Sequence, residues 1–437
     1  MRDLKQEAKR IYLKTVTRLN LETVIKEKLK VVDETLTIDG QEVRLSDYRE
    51  VVLVGFGKAS IRMGAVLEGI LKRHVKRGLL VTNRRSSIRV NSQVIVAGHP
   101  LPDANSFKAG QEVLEIVRSC EGDSLIIFLI SGGGSSLIEV PLLDQVTPED
   151  FKDFNRVLIN CGATIGEINV LRKHLSLIKG GRLGFQARGC KSIALYLSDV
   201  NAGDLRSIAS NPLLPDEVTL EEFFRLIDKY KLIDRLPASI SSAVKEERIP
   251  EVPTRWDAEG QTALCVLLLE NKDAIETAAT IASDEGYVVE IDYSQSEGDY
   301  RQIADDLIER LLNLRRDNTQ TRLCLISGGE VSCPVYGNGL GGRNQEFVLY
   351  SAAQLAISGF EATVVLSCGT DGIDGNSFAT GAVADPQMIW NAERRGLDVT
   401  QFLETNDTHS FFQEMGGMVV TGSTENNVRD IRILLAR

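Results

Sequence analysis

The chain has 437 residues, which at about 150 residues per domain predicts two large domains or about three smaller ones. Hydrophobic residues make up 43%, charged residues 25% and aromatic residues 6%, and 37 glycines stand against 11 prolines, a composition typical of a glycine-rich α/β enzyme that excludes a disordered or collagen-like chain. The net charge of −11 disfavours nucleic acid and anionic membranes as partners, because the overall field repels polyanions.

The cysteines and the N-terminus indicate the compartment. The seven cysteines are widely spaced and include no Cys-x-x-Cys pair, so neither a zinc cage nor a redox pair is predicted. The N-terminus is charged from its first residues, and no apolar run approaches the roughly 20 residues that span a bilayer. We therefore expect no export signal, no membrane anchor and a cytoplasmic location.

The first predicted element is an amphipathic helix over residues 3–30, where apolar residues recur with a helical period. Short apolar segments follow, most of them ending in glycine-rich turns and separated by amphipathic stretches. These segments are 51–54, 79–81, 94–96, 125–130, 193–197, 263–269, 288–291, 323–326, 364–366 and 418–420. Continuous apolar strands that alternate with helices predict buried, mostly parallel sheets with crossover helices.

A polar stretch around residues 237–262 divides this pattern into two halves. We predict an N-terminal, Rossmann-like α/β domain with a mostly parallel sheet over residues 1–240. A connection over 241–262 then leads to a smaller α/β domain over 263–437.

The tripeptide Ser-Gly-Gly ends an apolar strand in each half, at 131–133 and at 327–329. Because ligands bind at the carboxyl ends of the strands in open α/β sheets, both halves are expected to line one cleft. A duplication is compatible with this echo but does not follow from it.

The first candidate motif is a strand that runs into Gly55, Gly57 and Lys58 just before an amphipathic helix. The start of a helix favours a bound anion, although an ordinary turn with a solvated lysine gives the same pattern. A dinucleotide site is disfavoured, because Ser60 stands where the third glycine belongs and residues 82–84 offer no acid for a ribose hydroxyl.

The second candidate is a turn with three consecutive glycines after the strand 125–130. Its backbone N–H groups and flanking hydroxyls are suited to bind phosphate oxygens, and a plain flexible turn is the alternative. The predicted nucleotide-binding residues are Ser131, Gly132, Gly133, Gly134, Ser135 and Ser136.

Further charged residues follow predicted strands or glycine turns. Asp199 and Asp371 lie just past strands and are Mg²⁺ candidates, although each could equally belong to a simple turn. Arg343 and Asn344 follow four glycines at a helix start, where an arginine fork could bind carboxylate or phosphoryl oxygens. The segment 172–182 is rich in cationic side chains and is either a solvated helix face or a positive funnel for an anionic substrate.

Together these motifs closely resemble the glycerate 2-kinases, the family with a C-terminal MOFRL domain, and they follow the family order along nearly the whole chain. They are Gly55-Phe56-Gly57-Lys58-Ala59, Gly98-His99-Pro100-Leu101-Pro102-Asp103, Ser131-Gly132-Gly133-Gly134-Ser135, Arg172-Lys173-His174-Leu175-Ser176 with Lys179-Gly180-Gly181-Arg182, Ser198-Asp199-Val200, Gly341-Gly342-Arg343-Asn344-Gln345-Glu346, Gly369-Thr370-Asp371-Gly372-Ile373-Asp374-Gly375 and Val420-Thr421-Gly422.

The resemblance implies phosphorylation of (R)-glycerate on its 2-hydroxyl by ATP with Mg²⁺, giving 2-phosphoglycerate and ADP, in a cleft between two α/β domains. The family's key lysine and arginine fall on Lys58 and Arg343, which we take as the catalytic residues. The predicted substrate-binding residues are Lys58, Arg172, Lys179, Arg182, Arg343 and Asn344.

The chain departs from the family pattern after Val200. Asn201-Ala202-Gly203-Asp204 stands where the family has Pro-Gly-Asp, and Ser210-Asn211-Pro212 replaces Ser-Gly-Pro, which leaves the roles of Asp199 and Asp204 open. A hydroxypyruvate reductase that uses a nicotinamide cofactor and a non-catalytic binder of nucleotides or small acids are the alternative functions. The oligomeric state, a homodimer included, stays open.

Overall fold

The computed structural model of the protein describes residues 3–200, 204–254, 263–294, 296–317, 321–424 and 426–437. Its contacts divide the chain into two compact units. The N-terminal unit consists of Val24–Ser198 and Gly203–Leu268, and the C-terminal unit consists of Met1–Thr23, Asp199–Ala202 and Leu269–Arg437. Each unit is described by itself below.

Sixteen α-helices occur in the described part of the chain. They are α1 (Leu4–Arg18), α2 (Leu21–Lys28), α3 (Ser60–Leu71), α4 (Ala104–Arg118), α5 (Gly134–Leu137), α6 (Pro148–Ile159), α7 (Ile165–His174), α8 (Arg182–Gln186), α9 (Leu220–Lys229), α10 (Ala238–Lys245), α11 (Asn271–Asp284), α12 (Tyr300–Asp317), α13 (Arg343–Ser358), α14 (Pro386–Arg394), α15 (Val399–Glu404) and α16 (Thr408–Met415). Among the described residues, no helix combines the length and the apolar character needed to cross a bilayer.

The strands of the described residues number sixteen as well. They are β1 (Leu29–Val32), β2 (Thr35–Ile38), β3 (Gln41–Arg44), β4 (Glu50–Phe56), β5 (Val75–Thr82), β6 (Gln93–Val96), β7 (Ser124–Ile130), β8 (Lys191–Leu197), β9 (Leu264–Leu269), β10 (Val288–Asp292), β11 (Glu297–Asp299), β12 (Leu323–Ser332), β13 (Thr363–Gly369), β14 (Gly381–Ala384), β15 (Met418–Val419) and β16 (Asp430–Ala436).

The N-terminal unit is built on a six-stranded sheet with the order β6-β5-β4-β7-β8-β9. The pairs β4–β5, β4–β7, β5–β6 and β7–β8 are parallel. Strands β4 and β7 are buried along their full length, as expected where helices cover both faces of a parallel sheet. The predicted Rossmann-like architecture of this unit is confirmed, and the five apolar segments predicted in the first half form strands. The segment 263–269, which was predicted to begin the second domain, instead forms β9 of this sheet.

The register of this sheet fixes where its turns lie. In the β4–β7 pair, Phe56 lies opposite Ile130, so the two strands end at the same level. The turns that follow them, 57–59 and 131–133, are therefore neighbours at the carboxyl edge of the sheet.

A small antiparallel sheet, with the order β1-β2-β3, precedes the main sheet and was not predicted. Its strands have four residues each and few buried positions, which is too short for an apolar period to stand out. The Asp39-Gly40 turn between β2 and β3, with both residues at positive φ, is the sequence signal that could have revealed it.

The sheet of the C-terminal unit is mixed. Its order is β10-β12-β16-β13-β14-β15, with β11 beside β12. Strand β12 pairs in parallel with β10 and β11. The pairs β12–β16, β16–β13, β13–β14 and β14–β15 are antiparallel. The expectation of mostly parallel pairing is wrong for this unit, because β16 returns from the C-terminus and inserts between β12 and β13.

Each unit has its own apolar core away from the sheet edges. In the N-terminal unit, helices α6, α7, α9 and α10 enclose a cluster centred on Phe151, Phe154 and Phe223. In the C-terminal unit, α12 and α13 pack with the sheet around Leu311, Phe347 and Leu434. The C-terminal cluster includes Val331 of β12 and Phe347 of α13, so it holds the strand and the helix that carry Glu330 and Arg343.

The N-terminal segment forms two helices and not the single helix predicted over residues 3–30. The break lies at Asn20, whose side-chain oxygen accepts hydrogen bonds from the backbone amides of Glu22 and Thr23 at 3.0 and 3.2 Å and so begins α2. Helix α1 belongs to the C-terminal unit, in contrast to the predicted domain boundaries, which placed it with the first half. Helix α10 lies partly within the predicted connection, of which residues 255–262 are outside the described chain.

Helix α1 is anchored through a buried carboxylate. Glu7 is 1% exposed and binds the hydroxyl of Tyr287 and the guanidinium groups of Arg322 and Arg437. Burial opposes its ionisation, but these partners outweigh it and lower the pKa of Glu7.

We expect Glu7→Ala to destabilise the C-terminal unit by about 2 to 3 kcal/mol, because a buried acceptor of charged hydrogen bonds is lost. Urea denaturation followed by circular dichroism measures this change. The control variant Glu361→Ala removes an exposed glutamate of the same unit and should stay within about 0.5 kcal/mol of the wild type. Equal midpoints for the two variants would contradict the anchoring role.

Candidate functional site

Two adjoining turns carry the candidate residues of the N-terminal unit. The backbone N–H of Lys58 donates to the carbonyl of Gly132 at 2.9 Å, and the N–H of Ala59 donates to the hydroxyl of Ser131 at 3.0 Å. Gly57 has a φ of +132°, and a β-carbon there would lie 2.2 Å from Ser131 Oγ, so only glycine fits. The close packing of the turns holds Lys58 against the glycine turn.

A histidine lies beside Lys58 at the same edge. A β-carbon on Gly133 would lie 3.4 Å from Lys58 Cγ and 3.5 Å from His99 Cε1, so both side chains border the glycine turn. The ring nitrogen Nδ1 of His99 is 2.9 Å from the hydroxyl of Ser136. Desolvation and the charge of Lys58 lower the pKa of His99. His99 belongs to the motif Gly98-His99-Pro100, for which no role was predicted from the sequence.

The three serines of the predicted phosphate cradle already have partners in the protein. Ser131 accepts from Ala59, the hydroxyl of Ser135 is 2.8 Å from that of Ser210, and Ser136 binds His99. A phosphate at this turn would therefore be bound mainly by backbone N–H groups. The nucleotide-binding role of residues 131–136 stays a prediction.

Lys179 lies in the core of the N-terminal unit. It is 1% exposed and is paired with Glu139, which is equally buried and also accepts from the hydroxyl of Ser176. A lysine whose charge is compensated in this way is not placed to meet a substrate from solvent. The predicted contact of Lys179 with substrate has no support in this placement.

The other two predicted cations of this segment are also engaged. Arg172 donates to the side-chain oxygen of Asn155 at 2.8 Å, and Arg182 donates to the carbonyl of Glu251 at 2.9 Å. Burial lowers the pKa of both guanidinium groups. The cationic side chains Arg172, Lys179 and Arg182 thus bind groups of the protein itself. The role of segment 172–182 as a positive funnel stays a prediction.

The candidate residues of the C-terminal unit surround Arg343. Its Nε donates to Asp430 Oδ2 at 2.7 Å and its Nη2 to Asp430 Oδ1 at 2.9 Å, a bidentate fork. Its Nη1 lies 3.0 Å from Glu330 Oε1. Burial disfavours the charge of Arg343, but Asp430 outweighs this effect and raises its pKa above the usual range.

The start of α13 sets the position of Arg343. Asp374 is 1% exposed and accepts hydrogen bonds from the backbone and side-chain amides of Asn344 and Gln345, at 3.0 to 3.3 Å. A β-carbon on Gly342 would lie 2.4 Å from the Asp374 carboxyl carbon, so this approach requires glycine. Asn344 is fully buried in this network, and its predicted contact with substrate has no support here.

Glu330 has a different environment from Asp430. Desolvation raises its pKa and Arg343 opposes the rise, while the negative charges of Asp430 and Asp199 add to it. Its side chain keeps 41% of its surface exposed, whereas that of Asp430 is fully buried.

The two predicted metal ligands, Asp199 and Asp371, both belong to the C-terminal unit. Asp371 Oδ1 accepts from the Ile373 amide at 3.1 Å. A β-carbon on Gly369 would lie 3.0 Å from Asp371 Oδ1 and 3.4 Å from Asp430 Oδ1. The carboxylates of Asp371 and Asp430 therefore converge at the end of β13. Residues 201–203 of the departing loop lie outside the described residues.

A cavity of about 550 Å³ opens beside Arg343, a size that accommodates a small ligand. It is lined by Glu330, Val331, Ser332, Cys333, Val335, Gly339, Gly341, Gly342, Arg343, Glu346, Gly375, Asn376 and Asn406. Glu346 is 1% exposed, and its Oε2 has no hydrogen-bond partner among the described residues. Burial raises the pKa of Glu346 to about 7, with Asn406 opposing the rise.

The main partners of Arg343 were not predicted from the sequence. Asp430 is the first residue of β16, and this strand was not predicted because charged residues interrupt its apolar run. Glu330 follows the Ser-Gly-Gly echo directly, and Asp374 lies in the motif from which Asp371 was chosen. A search for acids near strand ends would have selected Glu330 and Asp374, whereas Asp430 required the strand order.

Comparison with known families divides the chain in the same order as its motifs. Residues 7–245 match the family described as Domain of unknown function (DUF4147), and residues 323–430 match the MOFRL family.

Curated relatives cover most of the chain. A D-glycerate 2-kinase of Thermotoga maritima is 34% identical over 88% of this chain and 90% of that protein. A protein of Agrobacterium vitis with the provisional name hydroxypyruvate reductase is 34% identical over 88% of this chain and 86% of that protein. A crystal structure of a Thermotoga maritima glycerate kinase has a TM-score of 0.85 and 31% identity, covering 99% of both chains.

We expect Glu346 to make the C-terminal unit less stable as pH rises. The pKa of Glu346 is about 7 in the folded chain, against 4.5 for the ordinary group, so its protonated form stabilises the fold. This contribution is fully present below pH 4.5 and is lost as the pH rises through 7. Between pH 4.5 and pH 8, the free energy of unfolding of the wild type should fall by about 3 kcal/mol relative to that of Glu346→Gln, measured by urea denaturation at each pH. The exposed control Glu404→Gln should follow the wild type. Parallel pH curves for wild type and Glu346→Gln would contradict the expectation.

Proposed function

The chain belongs to the glycerate kinase family, and on that premise we propose that it is an ATP-dependent glycerate 2-kinase that phosphorylates the 2-hydroxyl of (R)-glycerate. The observation that carries the proposal is the fixed guanidinium of Arg343 beside a cavity in the C-terminal unit. An anionic substrate is recognised by such a group through charge and paired hydrogen bonds.

Arg343 binds the carboxylate of glycerate in this proposal. A guanidinium carries five N–H donors. The fork with Asp430 uses two of them and Glu330 faces Nη1, which leaves one N–H on Nη1 and one on Nη2. Two N–H groups at the outer edge of a guanidinium match the two oxygens of a carboxylate.

Lys58 neutralises the transferred phosphoryl group in this proposal, and the glycine turn 131–136 binds the ATP phosphates. The lysine and the turn are held together by the hydrogen bond from Lys58 N to Gly132. Phosphoryl transfer depends on positioning and charge neutralisation, which a lysine and backbone donors supply.

Mg²⁺ is part of the proposal, with Asp371 and Asp199 as its protein ligands. The oxygen donors of Asp371 and Asp430 near Gly369 are of the type that Mg²⁺ prefers. The described residues include no group of three or more His, Cys, Asp or Glu side chains that could hold a metal alone. Mg²⁺ in kinases is commonly bound by one or two carboxylates together with substrate phosphates, and when bound here it would neutralise phosphate charge.

A second candidate function is reduction of hydroxypyruvate with a nicotinamide cofactor, which the name of one relative favours. The turn after β4 disfavours the reductase function, because a dinucleotide-binding motif needs its third glycine at the position of Ser60, which is fully buried. A cytoplasmic location also belongs to the proposal, and the seven unpaired cysteines support it.

We expect the wild-type protein to form ADP from ATP, Mg²⁺ and (R)-glycerate, and to yield the 2-phosphate, because the family and the anion site point to this acceptor. A coupled assay for ADP with chromatographic separation of the two phosphoglycerates measures both outcomes. NADH with hydroxypyruvate is the parallel arm. Folded protein that forms no ADP, or that consumes NADH instead, would contradict the proposal.

We expect Lys58→Ala to lower kcat/KM by about 10²- to 10³-fold, since a cation that stabilises transition-state charge is removed. Steady-state kinetics measures the loss, and circular dichroism checks the fold. Lys108→Ala, which removes an exposed lysine of α4, is the matched control and should keep full activity. Wild-type kinetics in Lys58→Ala would remove this residue from the mechanism.

A further inference from the structure

Three carboxylates surround Arg343, and they differ in what they can reach. Asp430 is fully buried, and both of its oxygens bind the guanidinium. Asp374 is buried as well, and both of its oxygens accept hydrogen bonds at the start of α13. Glu330 lies 3.0 Å from Arg343 Nη1, lines the cavity and keeps 41% of its side chain exposed. Of these three, Glu330 alone is placed to touch a bound substrate.

We propose that Glu330 is the general base that accepts the proton of the glycerate 2-hydroxyl. This inference rests on the proposed function and names the residue that the reaction requires beside Arg343. The 2-hydroxyl is on the carbon next to the carboxyl carbon. When the carboxylate binds the outer N–H groups of Arg343, this hydroxyl lies next to the guanidinium, where Glu330 stands. The 3-hydroxyl is one carbon farther away.

The position of the carboxylate is fixed from two sides. Glu330 Oε1 faces Arg343, and Oε2 lies 3.9 Å from Arg429 Nε. Arg429 is 6% exposed and is itself paired with Glu297. Arg343 and Arg429 therefore orient Glu330 and leave its exposed side open. A general base needs such an open side, because it must come within hydrogen-bond distance of the substrate.

The reaction step is balanced without any further reactant. A Glu330 oxygen accepts the hydroxyl proton as the 2-oxygen forms its bond to the γ-phosphorus of ATP. The bond between that phosphorus and the β–γ bridging oxygen breaks, and its electron pair leaves with ADP. Glu330 then releases the proton to water through its exposed side.

The test compares Glu330→Gln with Glu330→Asp and with Glu361→Gln as the control, an exposed glutamate of the same unit that takes no part in the contacts of Glu330. The glutamine variant keeps the size of the side chain but cannot act as a base. We expect its kcat to fall by about 10²- to 10⁴-fold, with KM for (R)-glycerate changed by less than about threefold and the acidic limb of the kcat pH profile lost. Glu330→Asp should recover part of kcat, and Glu361→Gln should match the wild type.

Several outcomes would overturn this role. A Glu330→Gln kcat within about threefold of an active wild type excludes the base and leaves the proposed function intact. Recovery of kcat in Glu330→Gln at high Mg²⁺ would make Glu330 a metal ligand instead. An inactive, folded wild type would overturn the proposed function and this inference together. Thermal melting of each variant shows that losses of kcat do not come from unfolding.

Discussion

The bidentate contact between Asp430 and Arg343 is the interaction on which the C-terminal half of the site depends. Asp430 is fully buried, and a carboxylate there is costly unless a partner compensates its charge. Arg343 supplies that charge through two hydrogen bonds, and because Asp430 is buried, salt screens this pair less than a pair on the surface. The consequence is an arginine whose outer N–H groups have a fixed direction before any ligand arrives, which reduces the entropy lost on binding.

The sheet topology makes this contact available. Asp430 is the first residue of β16, which pairs antiparallel with both β12 and β13 at the centre of the sheet. Arg432 lies two residues farther on the same strand, is fully buried, and donates to the carbonyl of Gly328. Burial lowers the pKa of Arg432 to about 10, which leaves the group charged at neutral pH, and this charge supports the ionised form of Asp430. A parallel strand in the same place would have carried its first residue to the opposite edge.

Local sequence signals predicted much of the fold and selected the two turns that carry Lys58 and the three consecutive glycines. The apolar segments 51–54 and 125–130 predicted the correct strands, and the parallel pairing of these strands, seen in the structure, brings Lys58 next to the glycine turn. The central, antiparallel position of β16 was not predicted, because it depends on long-range pairing. The strand itself was not predicted either, because Asp430 and Arg432 break up its apolar pattern. The number of cationic residues in segment 172–182 suggested that Lys179 binds substrate. In the structure its charge is compensated by Glu139, forty residues away in the sequence.

A double-mutant cycle on kcat/KM tests the central contact most directly. The cycle uses Arg343→Lys, Asp430→Asn and the double variant, each confirmed as folded by circular dichroism. If Asp430 acts by fixing Arg343, the double variant should be no worse than the more damaging single variant, with a coupling energy above about 1 kcal/mol. Effects that add within about 0.5 kcal/mol would show that the two residues act independently, which contradicts the account.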